Sequence, residues 1–329
     1  MNDMQRGYKI VAVLVFIVIA GVGIFTILSN AKNQENLPLI VQRPMPKSGS
    51  GGNFLSLTLD IPEPQFPEKM MVYKVIKPAL TKEMIREQAA KLGVVGSVEE
   101  TEVDFRVMAA NGSIFSVDKE TGSINFTTKE FETAVSPLKT VLSDEEYKKL
   151  ALEFLTSCGL MKEEAEFRDV NKENTVTIVE NGVEKKLPFM IEVRFGRKKD
   201  DIPWGGVGPK ISVYFGENGK IIGAASVWRE VEPFREYPIK EFSKALEDIK
   251  QGKATIYEAL PNDSGKVKEV RLMYRLDPIG YQQEYVIPYF MVIGTNSKGT
   301  PFAAFTRAIS EEYILEKPVP QVTAPATTK

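Results

Sequence analysis

The sequence predicts an α+β protein: an N-terminal transmembrane helix, then antiparallel sheets each packed by a helix, with a hint of a duplicated unit. Three observations predict it. An uncharged apolar run, Ile10 to Leu28, lies near the start of the chain. Three amphipathic helix patterns follow, each succeeded by strand-like segments. Asn-Gly pairs punctuate those segments where hairpins turn. The chain has 329 residues, 43% hydrophobic and 26% charged, a composition that folds and a length that accommodates an anchor and two small domains.

The run IVAVLVFIVIAGVGIFTIL is 19 residues long, close to what a helix needs to cross hydrocarbon. Arg6 and Lys9 precede it, which favours a cytoplasmic N-terminus and places the rest of the chain outside the cytoplasm, as in a single-pass protein of the cell membrane. A cleaved signal peptide would have a shorter apolar core and an Ala-x-Ala site. The segment LSNAKNQ offers only Ser29 and Ala31, so the run is read as an uncleaved signal anchor. Ala20, Gly21 and Gly23 are small residues that permit close packing against another membrane helix.

The cytoplasmic tip and anchor thus occupy residues 1–31. Residues 32–67, rich in Pro, Gly and Ser, read as a spacer, within which FLSLTL (Phe54 to Leu59) alternates like an edge strand. A first α+β subdomain is expected over 68–140. Its helix starts at Thr81 as N-cap and ends at Gly93, and three strands follow, turning at Asn111-Gly112 and near Thr121-Gly122. A second, larger subdomain covers 141–310. Ser143 and Glu146 form a capping box, and Tyr147, Leu150, Ala151, Phe154, Leu155 and Cys158 then fall on one helical face. Hairpins at Asn181-Gly182 and Asn218-Gly219 come next. A third helix runs from about Ile239 to Gln251, with Phe242, Ala245, Leu246 and Ile249 facing inward. Three more strand-like segments lead to a Pro/Thr tail, 311–329, read as disordered.

Composition excludes several chemistries. The chain has no histidine, so it lacks Ser-His and Cys-His nucleophile pairs and the usual zinc ligands. Its single cysteine, Cys158, reads as a small buried hydrophobe. A net charge of −2 gives no basic face for nucleic acid. No cofactor and no metal are expected. The glycine-rich stretch DIPWGGVGPK ends in a lysine, yet Gly208 precedes Pro209, which has no N–H, and Ile211 follows Lys210 ahead of a strand. A phosphate loop needs converging N–H groups and a helix start. The glycines are therefore read as a bend from the charged GRKKDD loop into a sheet. Ser116 and Lys119 match Ser-x-x-Lys but sit in a hairpin without companion motifs. The acidic clusters read as solvated faces or a helix start. Among the aromatics, Trp204 stands in a loop with no periodicity to bury it. With Trp228, Arg229 and Tyr237 it is the candidate partner-binding surface; sheet edges are the other.

The second half carries a recognisable pattern: ISVYFGENGKIIG, the strand VWREVE, the helix YPIKEFSKALEDIKQG, then VKEVRLMYRL and YVIPYFMVIG. It resembles the extracytoplasmic domains of the YycH/YycI family, single-pass regulators of an envelope-sensing histidine kinase, and more loosely PepSY-type modules. The resemblance spans roughly residues 68–310 and rests on structural motifs. It implies a PepSY/YycI-like fold and a regulatory role through protein–protein interaction in the cell envelope, on a membrane sensor kinase or protease, with no catalytic residues to carry over. Expected partners are the lipid bilayer, through the N-terminal helix, and an envelope or membrane protein. The alternatives are an envelope carrier or sensor of lipid or peptide and, less favoured, a carboxylate-only hydrolase.

Overall fold

The computed structural model describes residues 36–45, 53–206, 208–258 and 262–318. It corrects the expected fold class. The described residues are 47% strand and 16% helix, and a 14-stranded sheet replaces the expected separate helix-packed sheets. The three helix signals do fold as helices, but they are short: α1 (Lys82–Lys91), α3 (Asp144–Ser157) and α4 (Phe242–Lys250), with α2 (Lys129–Thr133) unforeseen. No helix among the described residues is long and apolar enough to cross a membrane; the expected span, Ile10–Leu28 with Ala20, Gly21 and Gly23, lies outside them.

Local rules account for the helix ends. The Thr81 side chain accepts from the Met84 N–H, and Ser143 with Glu146 closes a complete capping box. α1, α3 and α4 then each bury one stripe on the same face of the sheet. Ile85 and Ala89 of α1 meet Phe105, Val107 and Phe115. Tyr147, Ala151 and Leu155 of α3, with Cys158 beyond its end, cover Ile191, Val193, Phe195 and Val213. Phe242, Ala245 and Ile249 of α4 cover Val267, Phe290, Val292 and Phe302. Burial pushes the Cys158 thiol pKa up, as a buried structural cysteine requires.

Sheet continuity comes from the stretch read as a bend. Ile191–Lys199 turns and returns as Ile202–Gly206, which pairs antiparallel with Arg197 to Lys199. The returning chain bulges around Gly205, Gly206, Gly208 and Pro209, then re-pairs as Lys210–Phe215 with Ile191 to Gly196. On its outer edge Ile202–Gly206 pairs parallel with Tyr274 to Leu276, whereas Lys210–Phe215 pairs with Ile221–Val227. One bent strand therefore passes its outer edge from one half of the sheet to the other. A three-stranded sheet of Val231–Pro238, Lys69–Val75 and Tyr285–Val286 packs Met70 and Tyr73 over that junction, against Trp204 and Tyr274.

Segments that composition assigns to spacer and tail also join the body. Phe54–Leu59 pairs parallel with Asp263 to Val267, and the Phe54 ring is fully buried. Ile40–Gln42 pairs parallel with Ile314–Glu316. The longest strand, Asp263–Leu276, slips register against Pro288–Asn296 between Val267 and Glu269. A Cβ on Gly294, at that slip, would collide with the Lys266 carbonyl oxygen and the Phe302 ring. Gly294→Ala should cost about 2–3 kcal/mol, the scale of an overpacked core. Chemical denaturation should show a lower midpoint at unchanged slope; an unshifted midpoint would contradict this close approach.

Candidate functional site: the open face of the sheet

Alternation along each strand sends the remaining side chains to the opposite face. Apart from α2, whose Phe131 ring lies 5.1 Å from Tyr214, no helix among the described residues covers it. At the junction this face is concave. A groove of about 490 Å³ is lined by Arg168, Gly196, Lys198, Gly205, Arg275 and Met273, among others, with Tyr257 and Phe305 at its second-half end. That volume lies within the range of ligand sites.

The sequence shapes the groove by leaving side chains out. Arg168 lies over Gly196, its Cδ 2.8 Å from where a Cβ would stand, and the Met273 methyl occupies the space above Gly205. The Tyr257 and Phe305 rings meet edge to face at 5.9 Å. Phe305 also lies 5.4 Å beneath the Arg275 guanidinium, and Tyr289 lies 5.9 Å from it.

The charges divide into paired and unpaired. Lys198 meets Asp201 at 3.1 Å and Glu166 at 3.9 Å, and the Asp201 carboxylate holds its ammonium pKa above the usual value. Arg271 is held by Glu269, which raises the guanidinium pKa. Arg168 and Arg275 meet no carboxylate among the described residues. Two guanidinium forks thus flank a trough floored by glycine and methionine, an arrangement suited to binding anions and apolar groups together.

Of the four sequence-predicted surface residues, Trp204 is among those lining the groove, and the other three lie elsewhere. All four are buried, between 0% and 5% exposed; the Trp204 ring packs against Tyr73 and Tyr274, and Trp228, Arg229 and Tyr237 present no surface. Trp204, Trp228 and Arg229 belong to the joint beneath the groove. Arg197 donates to Glu164 Oε2 at 2.6 Å and to the Arg229 carbonyl at 2.7 Å. Its guanidinium lies 4.2 Å from the Trp204 ring and 5.0 Å from the Trp228 ring. Arg229 donates to the carbonyls of Pro278 and Tyr281, and burial lowers its pKa. Burial, with the nearby Asp200 carboxylate, pushes the Tyr73 phenol up to about 12. Tyr237 sits in the small sheet, its ring 5.6 Å from Tyr313. Trp204 is buried because its segment is a strand paired on both edges, which no side-chain periodicity announced.

Apart from Trp204, sequence reasoning missed the groove residues. Arg168, Gly205, Arg275 and Phe305 come from four strands, and the available signal was the polar phase of each alternation. Among the described residues no group of three or more Cys, Asp or Glu side chains is arranged to hold a metal.

No family model matches the chain, and no curated protein matches it. Among solved structures it is similar to an uncharacterized protein from Eubacterium rectale, at 14% identity and a TM-score of 0.46, over 78% of this chain and 90% of that one.

Proposed function

We propose that the chain is a binding and regulatory module of the cell envelope, not an enzyme, and that it acts through protein contacts on the open face of its sheet. The groove at the junction carries this reading: cationic forks, rings and thioethers are gathered there on strands spread between Ala165 and Arg307. Aromatic and arginine anchors are what protein contacts use. The layer between the sheet and its helices is occupied by packed side chains, which favours contact at the open face over carriage of a ligand between layers. The extracytoplasmic location rests on the N-terminal sequence, and the regulatory role on the resemblance to the YycH/YycI family.

A photocrosslinking residue in place of Tyr257, which is 48% exposed beside the groove, tests this in native membranes. Met84, 51% exposed on α1, is the control position. A protein adduct is expected at position 257 and not at 84. The captured protein, once purified, should lose about tenfold in affinity on Tyr257→Asp, the scale of one interface anchor. Equal labelling at both positions, or affinity untouched by Tyr257→Asp, would overturn the reading.

A further inference from the structure

We infer that the groove reads an extended acidic segment of a partner protein, with carboxylates four residues apart received by Arg168 and Arg275 and an apolar side chain between them seated on the glycine trough. This rests on the proposed function and adds the partner's chemistry.

The charge balance argues for an acidic occupant. Lys198 and Arg271 already have carboxylates, so the surplus consists of two guanidinium groups, Arg168 and Arg275. Both are planar forks that match a carboxylate through two parallel hydrogen bonds. Arg275 is held over Phe305 and Tyr289 and needs little ordering to bind.

Spacing argues for an extended segment. Strand order runs from Ala165–Asn171, which carries Arg168, through Ile191–Lys199 and Ile202–Gly206 to Asp263–Leu276, which carries Arg275. Three strand spacings set the two arginine-bearing strands about 14 Å apart, and an extended chain laid across them covers that in about four residues. Positions i, i+2 and i+4 of such a chain share one face. The middle side chain then lies over Gly196 and Gly205, where the Met273 thioether and the aliphatic part of Arg168 form the floor. Thioethers adapt to varied apolar partners. The pattern is acidic, any residue, apolar, any residue, acidic. The chain's own undescribed segments offer no such pattern: residues 46–52, 207, 259–261 and 319–329 contain no Asp or Glu, and residues 1–35 hold only the widely separated Asp3 and Glu35.

The test uses the full chain and fluorescein-labelled ten-residue peptides read by anisotropy. One contains Glu-Ser-Leu-Ser-Glu; the others replace Leu by Ser, both Glu by Lys, or bring the two Glu to a spacing of three. The first should bind best, and each alteration should weaken it at least about fivefold. Arg168→Gln and Arg275→Gln should each weaken it about tenfold, in line with losing one charged anchor. Arg106→Gln, on the distant Asp104–Met108 strand, should leave binding unchanged and controls for net charge. The Arg168→Glu/Arg275→Glu double variant should prefer the Lys peptide. Equal binding of all peptides, or insensitivity to both Gln variants, would overturn the inference. So would inorganic phosphate or anionic phospholipid vesicles displacing the peptide at matched charge, or self-association abolished by the same variants, which would make the site one for phosphate, membrane or a second copy. If Tyr257 crosslinks persist while the acidic peptides fail, the partner chemistry is wrong and the binding face stands; loss of the crosslinks removes the face itself.

Discussion

Lys240→Met is expected to lower stability by about 3–5 kcal/mol, the cost of leaving a buried charge uncompensated. Lys240 Nζ meets Asp248 Oδ2 at 2.5 Å, with the two side chains 7% and 2% exposed. Lys240 precedes α4, its backbone N–H bound to the Ala308 carbonyl, and Asp248 lies on the buried face of that helix. Without the ammonium, the cation left near Asp248 among the described residues is Lys253, at 4.0 Å. Asp248→Ala should cost less, because Lys240 already lies 3.7 Å from the exposed Glu311 carboxylate and can lean toward it. Lys240→Met with Asp248→Leu should recover most of the loss, since an apolar pair of similar volume needs no desolvated charge. Denaturant midpoints of the singles and the double, combined as a cycle, give the coupling. A Lys240→Met variant within about 1 kcal/mol of wild type would show that the pair contributes no more than a surface ion pair.

Arg197→Ala should cost about 2–5 kcal/mol, the scale of truncating a large packed core side chain, because the guanidinium fills the space between two indoles and its loss leaves the Arg229 carbonyl unpaired, whereas Glu164 keeps Lys199. Arg197→Lys should recover only part of it, because an ammonium cannot reach Glu164 and the Arg229 carbonyl together while stacked between Trp204 and Trp228. The loss has a pH signature. Burial tends to raise the Glu164 pKa, but hydrogen bonds from Lys199 and the Arg197 charge outweigh it and hold the carboxyl below the usual range. A carboxylate with a depressed folded pKa contributes stability that is complete above its unfolded value, about 4.3, and lost as pH falls through the lower folded value. The gap between wild type and Arg197→Ala should therefore be widest near neutrality and narrow below about pH 4. A gap independent of pH would assign the whole effect to the tryptophan packing.

The helix patterns, caps and turns were legible because their signals are local. Ser143 and Glu146 form their capping box within four residues, and the Asn181-Gly182 and Asn218-Gly219 pairs turn where the strands on either side pair. The apolar stripe ending at Cys158 is buried as a stripe. The edge strand expected at Phe54–Leu59 forms, paired with Asp263 to Val267; the spacer was misjudged at Ile40–Gln42 because a short strand amid Pro and Asn gains its stability from a distant partner, Ile314–Glu316. Trp204 was misjudged for the same reason.

Local sequence therefore settled where helices begin, where hairpins turn and which helical stripes go inward, since each depends on side chains within a turn or two of one another. Strand order, the joint at Arg197, Trp204 and Trp228, and the meeting of Arg168 with Arg275 on an open face emerged only on folding. Those features depend on backbone hydrogen bonds between strands far apart in the chain, up to the pairing of Ile40 with Ile314, and such bonds are made by groups common to nearly every residue, which leave no mark in the order of side chains.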